Sequence, residues 1–366
     1  MIDHRSPPVL DVVIPVHTVE RPIRRAVASV VGVAPEPRLR VTVVCHEVEV
    51  GAIDDLLAGL PRERIRLLPF SDGVRSPAGP LNAGLAAATA EYVAVMGSDD
   101  FFEPGAIAAY LDEVESEHPD VLIVPLRHQN GELLRNPLVR WRRRRRLDPV
   151  RDRLFYRTAP LALIHRSLLD GRDEPFTTSL VSGEDLELSS WLWAQPVRID
   201  FPVDAPAYVI GADADDRITL AAHSAHVAME PLRRLLEADW VVALAPATRH
   251  SLGVKLLRIH VLGALRARRD GGHWAPDDLE SVVSVTRAVL ALAPRALEPF
   301  ARAERRILET VVAADSGLTD ILNAVELADR AAWRERVLPA DLTRALDREG
   351  TLRRFLLYRF DRWGAG

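Results

Sequence analysis

The chain has 366 residues, 48% hydrophobic and 27% charged, enough length for two domains with a core in each. That balance excludes disordered, collagen-like and disulfide-stapled classes, and the single cysteine, Cys45, excludes an internal disulfide. A net charge of −5, from 47 Lys+Arg against 52 Asp+Glu, excludes a chain-wide basic field for nucleic acid.

The basic side chains are nearly all arginine, with Lys255 the only lysine, which reads as the coding bias of a GC-rich genome. The opening MIDHRSPPVL lacks the basic-then-apolar layout of a signal peptide. No apolar run reaches the ~18–20 residues of a membrane span, so a cytoplasmic protein is expected.

From residue 9 to about 210, short β-branched runs alternate with amphipathic stretches. Strands are predicted at 9–15, 41–45, 65–68, 92–96 and 121–124, and helices at 20–31, 52–60, 80–89 and from Pro104 through 114. This alternation predicts a mostly parallel sheet covered on both faces. After about 220 the strand signals fade. Helices are predicted at 252–265, from an Asp277 cap to 292, and at 296–313, 318–330, 342–348 and 352–363. The expected organisation is an α/β domain over 1–220 and an all-α domain over 221–366, without internal repeats.

In an open α/β sheet, ligands bind outside the carboxyl ends of the strands. The residues there are Pro15, Val16 and His17; His46 and Glu47; 69–72; and Gly97-Ser98-Asp99-Asp100. Adjacent carboxylates after an apolar strand repel by about 1 kcal/mol in water and by several times more when partly buried. They call for a cation: Mg2+ or Mn2+ held by Asp100 and Asp99 together with substrate phosphates. The competing reading makes either aspartate the cap of the helix near Pro104. The run from Ser76 to Gly84 is a Gly/Pro-rich helix start that presents backbone N–H groups to an anionic or polar ligand, with Arg75 as a phosphate contact or a solvated loop residue.

Taken in order, Ile14-Pro15-Val16, Gly79-Pro80-Leu81-Asn82-Ala83-Gly84 and Gly97-Ser98-Asp99-Asp100 resemble the signature of glycosyltransferase family 2, of GT-A fold. The short strand at 161–164 followed by Ser182-Gly183-Glu184-Asp185, which opens a helix through Trp193, matches that family's Glu-Asp motif. The resemblance covers about residues 9–220. It implies a nucleotide-diphospho-sugar transferase fold and an inverting transfer from a nucleoside-diphosphate sugar to an acceptor hydroxyl. Asp185 would be the base, Glu184 its support, and Mn2+ or Mg2+ would sit at Asp100 and Asp99. His17, His46, Glu47, Arg75, Asn82, Gly84, Ser98, Asp99 and Arg217, together with Pro15 and Val16, would face the nucleotide sugar.

The chain departs from the family twice: Cys45-His46-Glu47 replaces Asp-Asp-Gly-Ser, and Gly97 replaces the first acid of the metal motif. These departures motivate the alternative, a non-catalytic nucleotide-sugar or anionic-glycan binding protein on a degenerate GT-A fold. The absence of glycine after the first strand excludes a dinucleotide-dependent oxidoreductase, and the missing Gly-rich basic loop argues against a nucleotidyltransferase.

Four further features stand out. Arg142–Arg146 should meet solvent or an anion, which suggests a phosphate-rich wall polymer or lipid-linked phosphate acceptor at the inner membrane face. His223 and His226 stand at i,i+3, a spacing that on a helix can ligate metal. Trp191 and Trp193 are candidates for sugar stacking or for the core. Residues 352–363 mix aromatics with arginines, as an interfacial helix or a docked terminal helix would. The helical half offers a homo-oligomer interface, a peripheral membrane dock or an acceptor platform.

Overall fold

The computed structural model describes residues 8–32, 38–213, 223–269 and 274–360. The expected domain boundary at 220/221, Arg217 and Trp363 lie outside the described residues. Among the described residues eleven strands form: β1 (Leu10–Val16), β2 (Leu39–His46), β3 (Ile65–Phe70), β4 (Tyr92–Val95), β5 (Phe101–Phe102), β6 (Val121–Ile123), β7 (Leu126–His128), β8 (Leu133–Leu134), β9 (Ala162–His165), β10 (Ile199–Asp200) and β11 (Tyr208–Ile210).

Seven of them build one sheet in the order β10-β6-β9-β4-β1-β2-β3, with β9 antiparallel to both of its neighbours and the other pairings parallel. A smaller sheet, β5-β11-β7-β8, stands beside it and was not foreseen. Its strands are two or three residues long, too short for alternation to register.

β1 runs inside the sheet between β4 and β2, and its alternating residues feed two cores. Leu10, Val12 and Ile14 pack with Ile23, Val27, Ile107 and Leu111 on one face. On the other face Val13 joins Val44 and Val93 in a cluster that runs on into Leu252, Val285, Ile307 and Val325. The helical half therefore shares one apolar core with the sheet. Asp11, within β1, is fully buried and is held by Arg40 Nε at 2.6 Å and the N–H groups of Thr89 and Ala90 at 2.9 and 3.2 Å. Gly84 lets the helix Ala78–Ala87 press onto the sheet, since a Cβ there would stand 2.2 Å from Val13 Cγ1.

The helical half contains Ala225–Glu237, Pro246–Lys255, Leu262–Ala267, Asp278–Leu292, Arg302–Val312, Leu318–Arg330 and Thr351–Phe360, with shorter pieces between them. Several expectations change. The predicted helix at 252–265 starts earlier, at Pro246, and passes through a π turn at Leu256–Val261. The stretch predicted from 296 becomes helical only at Arg302, and 342–348 holds just the 3-10 turn Leu342–Arg344. Asp277 makes no side-chain cap. Asp278 instead accepts from His226 N at 2.6 Å and Ala275 N at 2.8 Å. Among the described residues no helix is long and apolar enough to cross a membrane.

Candidate functional site

The carboxyl edge of the large sheet gathers most of the residues singled out from sequence. Pro15 and Val16 end β1, and His17 follows them, exposed. Asp99 and Asp100 follow β4. They cap no helix: the helix Ala106–Glu117 begins after Gly105, which takes the left-handed conformation at φ 84. Asp100 is oriented by two donors, the Tyr208 hydroxyl to Oδ2 and the Gly211 N–H to Oδ1 at 2.8 Å. Tyr208 is buried, and its hydroxyl is pushed well above its ordinary pKa, first by that burial and then by Asp100.

The cation that the acidic pair demanded is supplied in part by protein. Arg21 Nη1 lies 3.2 Å from Asp99 Oδ2. Arg25 donates to the Asp99 carbonyl, pairs with Asp213 and lies 4.6 Å over the Phe101 ring. Ser98, next in sequence to the pair, is buried. The sequence reading missed Arg21 and Arg25. Their signal was available as two arginines at i,i+4, at the start of the helix that follows β1.

A hard divalent cation suits this donor set. The two oxygens of a carboxylate offer about four acceptor sites between them, so the Tyr208 and Gly211 bonds orient Asp100 without exhausting it. At Gly97 the missing first acid has a steric counterpart, because a Cβ there would stand 2.6 Å from Asp100 Oδ2.

Glu184 and Asp185 precede the helix Leu186–Ala194, which leads into β10. Since β10 runs parallel to β6, that helix starts at the carboxyl edge, the same edge as Asp100. Asp185 occupies the N-cap position but makes no side-chain cap, so it does not serve the helix in the manner of a capping residue. Burial pushes its carboxyl up to about 7, with Glu184 adding to the rise and Lys255 opposing it. Burial also raises Glu184.

Asn82 explains how this segment is held. Its Nδ2 donates to the Phe176 carbonyl at 2.7 Å, and its Oδ1 accepts from the Phe176 N–H at 2.9 Å. Ser76 Oγ donates to the Leu180 carbonyl at 3.2 Å. Asn82 and Gly84, expected at the ligand, thus anchor the Glu-Asp segment and the helix–sheet contact.

At the ends of β2 and β3, His46 Nε2 lies 2.9 Å from Asp72 Oδ1. Glu47, with φ 55, turns its Oε1 to Ser71 Oγ and the N–H groups of Asp72 and Gly73 at 2.7, 3.0 and 2.8 Å. The Gly73 bond leads the causes that lower its pKa. Among the described residues, His46, Glu47 and Asp72 are the one group of three His, Cys, Asp or Glu residues whose ligand atoms fall within 4.8 Å of one another. Arg75, nearby, is exposed and forms no ion pair among the described residues.

Other expectations are corrected or divided. His223 precedes the Ser224 cap, so it does not share a helical face with His226, whose Nδ1 bonds Ser281 Oγ at 2.8 Å. Trp193 belongs to the core, with Nε1 on the Arg157 carbonyl at 2.8 Å, while Trp191 carries Arg172 over its ring at 4.4 Å. Of the five arginines, Arg144 pairs with Asp204, and Arg145 with Glu113 and Glu117. Arg142 stacks on Trp141, which is 83% exposed. The terminal helix Thr351–Phe360 docks on its own chain, with Arg354 at 3.8 Å over Tyr156 and the Tyr358 hydroxyl bonded to Asn136 at 2.7 Å.

The family model for Glycosyl transferase family 2 matches residues 11–172. None of the curated proteins matches the chain. Crystal structures of S. aureus TarS share the fold. TarS 1-349 in complex with UDP-GlcNAc gives a TM-score of 0.71 at 18% identity, over 88% of this chain and 91% of that one. A longer S. aureus TarS gives 0.64 at 18% identity, over 87% of this chain and 55% of that one.

Proposed function

We propose, on the premise that residues 11–172 form a glycosyltransferase family 2 domain, that the chain transfers a sugar with inversion from a nucleoside diphosphate to an acceptor hydroxyl. The observation that carries this reading is the uncapped, half-buried Asp185 carboxylate on the same sheet edge as Asp99 and Asp100. A carboxyl poised at about 7 suits a general base acting near neutral pH.

Asp185 takes the acceptor hydroxyl proton, and the freed oxygen bonds to the anomeric carbon as the bond to the diphosphate breaks. One displacement with one base inverts that carbon. Glu184 holds Asp185 or an acceptor hydroxyl. Asp100, with Asp99, would hold Mg2+ or Mn2+, whose charge compensates the departing diphosphate. Arg21 and Arg25 keep the acidic pair oriented at the strand end. The cluster of His46, Glu47 and Asp72 takes the nucleotide base, at the place where the family carries a different acidic motif.

On the acceptor side, Trp141, Arg142, Arg143 and Arg146 favour an anionic glycan, wall polymer or lipid-linked phosphate presented at the inner membrane face. These three arginines form no ion pair among the described residues. The helical half, from about 221, builds the platform against which such an acceptor lies.

The test combines nucleotide-sugar thermal shift in Mn2+, starting with UDP-GlcNAc because the similar TarS structure holds it, with transfer assays on Asp185→Asn. Stabilisation by one donor, and a loss of ~10²–10⁴ in turnover with donor binding spared, is expected. Metal-dependent binding with no turnover on any acceptor would favour the non-catalytic reading.

A further inference from the structure

A helix at a protein surface ordinarily buries its apolar stripe and turns its charges outward. The terminal helix Thr351–Phe360 does the reverse. The one side chain it buries is Arg354, whose guanidinium lies 3.8 Å over the Tyr156 ring and 5.6 Å over Tyr358. Phe355 and Phe360 are left 41% and 70% exposed, and Tyr358 is exposed as well. At 3.6 residues per turn, Phe355, Tyr358 and Arg359 fall within an arc of about 100°.

The apolar surface extends beyond the helix. Trp333, 51% exposed, meets the Phe355 ring edge-on with 6.2 Å between centroids. Leu346, also exposed, lends its carbonyl to Arg353 Nη1 at 3.3 Å. Adjoining exposed aromatics of this kind mark a contact surface.

Charge identifies the partner. The helix carries Arg353, Arg354 and Arg359 and no acid. Arg135 Nη1 donates to the Tyr358 carbonyl at 2.6 Å, and the Tyr358 hydroxyl donates to Asn136 Oδ1 at 2.7 Å. These bonds join the helix to residues 133–147, a stretch with seven arginines and no acid, in which Trp141 is exposed and stacked with Arg142. Asp152, Asp204, Glu113 and Glu117 neutralise Arg140, Arg144 and Arg145. Arg142, Arg143, Arg146, Arg353 and Arg359 form no ion pair among the described residues. In a chain of net charge −5 this face is a local excess of positive charge.

Aromatic rings among unpaired arginines suit the boundary of an anionic bilayer, where rings sit at headgroup depth and guanidinium groups meet lipid phosphates. We infer that the terminal helix, with Trp333 and the segment through Trp141, is a docking face for an anionic lipid membrane. A second copy is the poorer occupant, because a two-fold contact sets the same arginine-rich patch against itself. The docking deepens the acceptor reading given above and rests on it only in purpose: it holds the arginine-rich segment at a surface that presents a lipid-linked phosphate.

The test is co-sedimentation of the full chain with vesicles of phosphatidylcholine alone and of phosphatidylcholine with phosphatidylglycerol, without donor or metal. Binding to the mixed vesicles is expected to be at least tenfold tighter than to the neutral ones. It should weaken about tenfold in Arg353→Gln/Arg359→Gln and in Phe355→Ser/Phe360→Ser. Arg62→Gln, at an exposed arginine of the other half, should bind as wild type does. Thermal melts separate lost binding from lost folding; where a double variant melts early, the single changes Phe360→Ser and Arg359→Gln decide, each expected to bind severalfold more weakly.

Equal affinity for the two vesicle types, or full binding by the variants, overturns the inference. So does binding that salt removes and Phe355→Ser/Phe360→Ser leaves unmoved, which is a charge-only encounter open to any polyanion. A dimer in lipid-free sedimentation velocity that the phenylalanine changes dissolve, without vesicle binding, assigns the face to a second copy and overturns it too. Asp185→Asn should bind vesicles as wild type does, so a failed base assignment leaves the dock standing. Intact transfer without vesicle binding overturns the dock alone.

Discussion

The Asn82 side-chain amide and the Phe176 backbone exchange two hydrogen bonds, of 2.7 and 2.9 Å, across 94 positions of sequence. They tie the helix that follows β3 to the segment that delivers Glu184 and Asp185. Asn82→Ala leaves the Phe176 N–H and carbonyl without these partners, so a cost of ~1–3 kcal/mol in urea unfolding is expected. Turnover should fall together with stability. A variant of wild-type stability and full turnover would show that the segment is held by other contacts.

Tyr208→Phe removes the hydroxyl that donates to Asp100 and also accepts from the Gly97 N–H at 3.1 Å. The ring stays in its buried site against Phe102, so the fold should survive. The expected change is a several-fold rise in the Mn2+ concentration needed for half-maximal donor binding, read by calorimetric titration. An unchanged metal dependence would separate Asp100 from the cation.

Restoring the family's first acid should harm this site. A Cβ on Gly97 would stand 2.6 Å from Asp100 Oδ2 and 3.2 Å from Asp99 Oδ1, so Gly97→Asp must push the acidic pair aside and adds a third negative charge. Donor binding is expected to weaken at least tenfold, with Gly97→Ala intermediate. Tighter binding in Gly97→Asp would mean that the pair rearranges freely.

Stability should respond to pH in two opposite steps. Asp185 rises from 3.8 to about 7 in the fold, so between those values the native chain holds the extra proton and stability falls as pH rises. Lys255 drops from 10.5 to about 7, so from about 7 to 10.5 the unfolded chain holds the extra proton and stability climbs again. Denaturant midpoints at pH 5, 7 and 9.5 should trace a dip at the middle value, and Lys255→Met should lose the upper recovery. Parallel curves for the two proteins would contradict the assignment of the upper step.

Much of this architecture was legible because the chain states it locally. The strands at 10–16, 39–46 and 65–70 are long, apolar and β-branched, so their periods and the loops after them could be read directly. The acidic pair and the Glu-Asp motif were visible for the same reason: each is contiguous. What escaped was made by distance. Tyr208 reaches Asp100 from a three-residue strand. Asn82 reads as a ligand residue until the fold shows its amide on Phe176. Lys255 was noticed as the sole lysine, but no local pattern announces a π turn or says that His260 meets its ammonium. The arginine run looked like unbalanced charge because Glu113, Glu117 and Asp204, which neutralise part of it, sit on other elements.

The burial of the sole lysine has a practical consequence. An acylating reagent aimed at primary amines meets no exposed side chain on the folded protein, and Lys255 reacts only when the shared core opens. Mass-spectrometric counting of a single modification at Lys255 then becomes a clock for that opening, and its rate should slow when a bound donor stabilises the closed form.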